Sequence, residues 1–209
     1  MVAPSAGSRP RKATRRKADS ILKGAAALIA EKGFEATAIR DVGRRLEVSL
    51  GGMYYHFAGK DDLLYEIQRR TFEGLLAAQT AVAAEPGPAD ARLGRLLVGH
   101  LAFFERHPNE MKVCTYELES LKGDRYDRVL ALRRRYYELL AEVVDELTGV
   151  RSRSARARSR SRHVTLFIFG MVNWSLMWYR PDRDGPVETI AAEMLALVLR
   201  GVSGRGNGA

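Results

Sequence analysis

Thr37 to Lys60 reads TAIRDVGRRLEVSLGGMYYHFAGK, and two short helical patterns separated by a tight turn can be picked out of it. The first covers 38 to about 46, with Thr37 placed as its N-cap and Ile39, Val42, Gly43 and Leu46 turned inward. The second starts near Ser49 and ends near Phe57, with Met53 and Phe57 as packing residues. In a helix-turn-helix the second helix enters the major groove, so its outward positions must be small, polar or aromatic rather than aliphatic. Gly51 and Gly52 would let the backbone approach a duplex, and Tyr54, Tyr55 and His56 set hydroxyl and imidazole donors where phosphate oxygens would lie. Lys60 adds a cation to the positive end of the next helix, and Thr37 offers a hydroxyl at the start of the first.

Outward from this stretch nearly every segment has helical period and none alternates as a strand, which predicts an all-α fold. Upstream, about 15 to 32 carries Ile21, Leu22, Ala25, Leu28 and Ile29 on one face and stops at Gly33, with Phe34 as a core plug. Downstream, a fourth helix from about Lys60 to Ala84 is broken by EPGPAD at 85 to 90. Further helices are expected at about 90–106, 108–121, 124–148, 163–179 and 187–199, with RPDRDGP as a turn between the last two. The predicted organisation is a disordered basic arm over 1–14, a helix-turn-helix unit over 15–60, a helical regulatory and dimerisation unit over 61–200, and a disordered tail over 201–209.

The chain has 209 residues and a net charge of +9. Six cations without an acid lie in 1–18, and six arginines without an acid in 151–162, so the rest of the body is slightly acidic. Two short basic segments on such a body suit a polyanionic partner. The first reads as an arm that follows DNA phosphates, with affinity that falls with salt. The second reads as a solvated linker between helices, with an anion site or added non-specific DNA contact as its functional alternatives. A single cysteine, Cys114, rules out an internal disulfide and suits a reducing cytoplasm. No signal peptide is visible, and the apolar run 163–179 is short and carries Thr165, Asn173 and Ser175, so a buried helix is expected there rather than a membrane span.

The pattern GFEAT from Gly33, followed by VSLGGMYYHFAGK from Val48 and a long helical remainder, closely resembles the TetR family of bacterial transcriptional repressors. The specific match covers roughly 20 to 65. The resemblance implies phosphate contacts at Thr37, Tyr54, His56 and Lys60, and base or near-base contacts around Ser49, Leu50, Gly51, Gly52 and Tyr55. Leu50 and Gly52 stand where many members carry polar or basic side chains, which shifts discrimination toward Tyr55, Arg40 and DNA shape. The resemblance further implies a homodimer through the last two helices and an effector cavity. For its lining, His100, Phe104, Met111, Tyr116, Tyr137, Asn173, Trp174, Met177 and Trp178 combine apolar bulk with occasional polar handles. NWSLMWYRPDRDGP (173–186) resembles the same region of members that respond to acyl-CoA thioesters, which implies a lipid-like effector with a phosphorylated head.

Three functions are in competition: a ligand-released repressor on a pseudo-palindromic operator, a non-specific architectural DNA binder, and an enzyme. The enzyme has least in its favour. The sequence has no phosphate loop, no HExxH, no GxSxG and no cysteine pair for metal, and its four histidines lack ligand spacing. No cofactor or metal is expected.

Overall fold

The computed structural model describes residues 12–149 and 155–203, which are helical throughout with no strand among them. The order is α1 (Lys12–Lys32), α2 (Ile39–Arg45), α3 (Leu50–His56), α4 (Lys60–Ala83), α5 (Ala89–Arg106), α6 (Pro108–Tyr116), a 3-10 turn (Leu118–Ser120), α7 (Gly123–Leu147), α8 (Ala155–Trp178), α9 (Pro181–Asp184) and α10 (Val187–Ser203).

Several boundaries differ from the sequence reading. Helix α1 takes in Lys12 to Thr14, so the rest of the basic arm, 1–11, lies outside the described residues. The predicted 108–121 helix ends at Tyr116 and tightens into the 3-10 turn, while RPDRDGP contains the short α9. Gly201 to Ser203 continue α10 rather than starting a tail. The arginine segment is corrected most. Its residues 155–162 form the first turns of α8 rather than a linker, and 150–154 lie outside the described residues. Serine and arginine both tolerate a helix, and low complexity by itself does not break one.

Two hydrophobic clusters hold the chain together. The first joins Ile21, Ile29 and Phe34 from α1 and its C-terminal turn to Val42, Met53, Phe57, Leu63 and Leu64, and continues through Phe72, Met111, Cys114 and Val129 to Tyr136. The second packs Leu93, Leu97, Val144, Ile168, Val172, Ile190 and Met194 from α5, α7, α8 and α10. One continuous apolar body therefore runs from the helix-turn-helix into the regulatory helices, with α4 in its middle.

The direction of α7 fixes the two ends of the molecule. Arg125 in its first turns pairs with Asp62 at the start of α4 at 2.9 Å, beside the helix-turn-helix. Near its other end Asp145 accepts a hydrogen bond from Ser161 of α8, and Arg160 donates to the Val202 carbonyl at 2.7 Å. A 25-residue helix spans about 37 Å. The arginine-rich start of α8 thus sits at the end remote from α3, where it cannot extend the same DNA-facing surface.

Candidate DNA-reading surface and effector cavity

Helices α2 and α3 cross at a contact that only a glycine allows. A Cβ on Gly43 would stand 2.8 Å from the Val48 carbonyl oxygen, and the Val48 N–H donates to the Gly43 carbonyl at 2.9 Å. Glu47 turns the chain between them through a left-handed conformation at φ 53°. Ser49 caps α3, its hydroxyl oxygen accepting from the Gly52 N–H at 3.1 Å. Met53 and Phe57 fill the core as expected, and this seats α3 with its other face outward. On that face Leu50, Tyr54 and Tyr55 are 49%, 53% and 75% exposed, and a Cβ on Gly51 would meet nothing within 4 Å. Ser49 and Arg40 are exposed too, whereas Gly52 and His56 are half-buried, with the His56 ring edge-on to Tyr55 at 4.9 Å.

Two of the expected DNA contacts are engaged within the protein, Thr37 buried and Lys60 half-buried. Ala38, not Thr37, is the N-cap of α2, and Asp41 takes up the Ala38 N–H at 3.3 Å. Thr37 is buried, and its hydroxyl donates to the Gly33 carbonyl at 2.8 Å. Lys60 lies 4.3 Å over the Phe34 ring, donates to the Phe34 carbonyl at 3.2 Å and pairs with Glu35 at 3.5 Å. Both side chains fasten the turn between α1 and α2. The sequence reading also missed a cleft of about 570 Å³ in which Arg15 of α1 and Arg69 and Arg70 of α4 join Tyr55 and His56. Only the summed charge of 1–18 hinted at Arg15.

The regulatory helices surround a cavity of about 410 Å³, open to solvent past Arg134 and Leu166 and lined from α4, α5, α6, α7 and α8. Of the nine candidates, His100, Met111, Tyr137 and Asn173 come together there. Phe104 lies tilted against His100, ring centroids 4.2 Å apart, and is not part of the lining. Tyr116 and Met177 meet each other at the surface, the hydroxyl 3.1 Å from the thioether sulfur, while Trp174 is 62% exposed and Trp178 packs beside Tyr179 and the second cluster. The lining also contains Phe72, Leu75, Leu130, Tyr136 and Phe169, which helical period marks only as core, and Arg133 and Arg134, which it marks as surface.

Arg133 is the electrostatic feature of this cavity. Its guanidinium donates to the Cys114 carbonyl at 2.7 Å and lies 5.1 Å over the Phe72 ring, and among the described residues no carboxylate pairs with it. Burial pulls its pKa down and pushes the Cys114 thiol up to about 12. A half-buried cation with no carboxylate in ion-pair contact, only the longer-range field of Glu119, favours an anionic occupant.

Glu117 ties the cavity-lining α6 to the turn between α1 and α2 and to α4. Glu117 follows α6, which supplies Met111 and Thr115 to the lining. Its carboxylate accepts from the Phe34 N–H at 3.0 Å and from the Ser120 hydroxyl at 2.9 Å, and its carbonyl accepts from Gln68 at 2.9 Å.

An exposed reading helix on a small trihelical unit, fused to helices around a ligand-sized cavity, defines a DNA-binding regulator of one-component type. Residues 21–67 match the model for bacterial regulatory proteins of the tetR family, and 86–202 match that of the tetracyclin repressor-like C-terminal domain. The chain belongs to the TetR family of transcriptional regulators. It is 26% identical over 204 residues to the HTH-type transcriptional repressor KstR2 of Rhodococcus jostii, covering 97% of this chain and 98% of that one. The TetR-family regulator PfmR of Thermus thermophilus is 30% identical, with a TM-score of 0.73 over 86% of this chain and 97% of that one. AibR, solved in complex with isovaleryl coenzyme A and operator DNA, shares the fold at 21% identity, with a TM-score of 0.75 over 87% and 97% of the two chains. Among the described residues no helix is long and apolar enough to cross a membrane, and no cluster of side chains could hold a metal ion.

Proposed function

We propose that the chain is a ligand-released repressor that works in the cytoplasm as a homodimer on a pseudo-palindromic operator. The observation that carries this reading is the continuous core between the exposed face of α3 and the walls of the cavity, closed by the Glu117 link to Phe34. Tyr55, Leu50, Gly51 and Ser49 read the groove, helped by Arg40 and by DNA shape, while Tyr54, His56 and Arg15 grip phosphates. Thr37 and Lys60 contribute by holding the α1–α2 turn. Phe167 and Trp174 of α8 and Leu197 of α10, all exposed, form the apolar face on which a second copy packs. Such a dimer sets two reading helices roughly 34–36 Å apart.

The effector is an acyl-coenzyme A thioester. Arg133 and Arg134 at the wall of a cavity otherwise lined mainly by apolar side chains support an anionic, lipid-like ligand, and the isovaleryl coenzyme A bound by AibR supports the class. Effector binding favours a conformation in which the spacing of the reading helices no longer fits the operator. No catalytic step belongs to this reading.

Titration of the purified protein into its own promoter DNA checks it. Retardation should be specific and weaken with salt, and Tyr55→Ala should weaken it by roughly 10-fold or more without lowering the melting temperature. The aliphatic Leu50 and the glycines beside it favour a second reading, a non-specific architectural binder, which equal affinity for unrelated DNA at physiological salt would establish in place of the first.

A further inference from the structure

His100 lies on the wall of the 410 Å³ cavity, 3% exposed, and one of its ring nitrogens has no partner. Its Nδ1 is hydrogen-bonded to the Tyr136 hydroxyl at 2.5 Å, and its Nε2 meets no polar atom. Burial keeps both groups neutral, pushing the imidazole pKa down to about 3 and raising that of the phenol.

The bond to Tyr136 decides the tautomer. If Nδ1 carried the proton, the phenol would accept, and both the phenolic O–H and the Nε2 lone pair would be buried without partners. If the phenol donates, only an Nε2–H is left over. Each orphaned buried group carries a desolvation penalty, so the second arrangement holds, and His100 presents a fixed donor. Neighbouring side chains leave that donor unmet. The void that His100 and Tyr136 share with Leu96, Leu97, Leu139, Leu140, Ile168 and Val172 is about 10 Å³ and has no other polar side chain in its lining. Thr115 in the cavity lining does not meet it either: its hydroxyl donates to the Met111 carbonyl at 2.8 Å, and Nε2 has no hydrogen-bond partner.

We propose that His100 is the specificity-determining residue of the cavity and that its Nε2–H takes a carbonyl oxygen of the effector. The inference rests on the acyl-thioester reading above and narrows it. Nε2 itself has essentially no solvent-accessible surface, so the carbonyl reaches it through a small shift of the cavity wall and satisfies the orphaned donor, whereas a purely hydrocarbon chain leaves it unmet. The carbonyl is either that of the thioester or a keto group farther along the chain. Tyr136 is a positioning residue that acts through the tautomer.

Calorimetric titration with three kinds of probe tests this: octanoyl-coenzyme A, the carbonyl-free thioether S-octyl-coenzyme A, and oxooctanoyl-coenzyme A thioesters with the keto group at successive carbons. The wild type should bind at least one carbonyl-bearing probe roughly 10-fold or more tighter than the thioether. Preference for plain octanoyl assigns the thioester carbonyl, and preference for one keto position alone assigns the chain. His100→Phe should erase the preference while retaining affinity for the thioether. Tyr136→Phe, which keeps the ring and frees the tautomer, should reduce the preference, whereas a purely structural loss would weaken all probes alike. Equal binding of all probes by the wild type, or a preference that survives in His100→Phe, overturns the inference and leaves the acyl reading standing. Binding of none of them overturns that reading and the inference with it.

Discussion

Gly43 and Gly51 belong to neighbouring helices and face opposite demands. At Gly43 an added methyl meets backbone, the Val48 carbonyl at 2.8 Å, which cannot swing aside. Gly43→Ala should therefore cost about 1–3 kcal/mol and lower the melting temperature. At Gly51 the methyl meets nothing, so Gly51→Ala should leave stability unchanged or raise it by up to about 1 kcal/mol while operator affinity falls. Thermal melts beside DNA titrations separate the two. His100 gives a second expectation. The unfolded chain takes up a proton on this residue below its ordinary value of 6.5, and the folded chain refuses it until about 3. Its contribution to stability is thus complete above 6.5 and is lost as pH falls toward 3, with a slope approaching about 1.4 kcal/mol per pH unit. Urea unfolding between about pH 7.5 and 5 should show that slope in the wild type and a flatter one in His100→Phe. Equal slopes would mean that His100 is not held neutral. The outward placement of Gly51 and Tyr55 was readable in the sequence because it follows from offsets within one short helix. Arg133 and Tyr136 were not, because a residue's face on α7 does not say whether core, cavity or solvent lies opposite.

Helix α6 is the short lever of the fold. It brings Met111 and Thr115 to the cavity and ends at Glu117, which holds the backbone of Phe34 where α1 gives way to the helix-turn-helix. Helix α4 runs through both parts and couples them through the shared core. The Glu117 bond adds a second, polar route that helical period could not reveal, since its partners are 83 residues apart. Glu117→Ala leaves the Phe34 N–H without its acceptor, at a cost of about 1–3 kcal/mol. It should also bring the ratio of operator affinities without and with effector closer to one, as fluorescence anisotropy with labelled operator would read. An unchanged ratio would return the coupling to α4 alone. The arginines that open α8 belong to a different account. They crowd the positive end of a helix dipole with no acid in the first turn, far from α3, and nothing in DNA recognition requires them there.

The molecule as a whole leaves an apolar face uncovered along α8 and α10, where Phe167, Trp174 and Leu197 are exposed. An aspartate there should leave the single chain folded and separate the pair. Phe167→Asp is expected to sediment as a monomer with an unchanged helical spectrum and to lose most of its operator affinity, since each half-site then binds alone. A dimer that persists in this variant would move the interface elsewhere. Read by itself, the sequence determined the all-α class, the order of the long helices and the helix-turn-helix. These follow from interactions within a few turns of chain: the 3.6-residue period, the glycine crossing and the Ser49 cap. It also separated the packing residues Met53 and Phe57 from the outward tyrosines. Only the tertiary structure decided that Thr37 is buried and Lys60 is engaged by the α1–α2 turn, that residues 155–162 of the arginine segment are helix, and which aromatic residues line a cavity rather than fill a core. The physical reason is that a cavity is space left between five helices drawn from distant parts of the chain. A side chain at its edge obeys the same apolar period as one in close contact, so only the assembled packing tells the two apart.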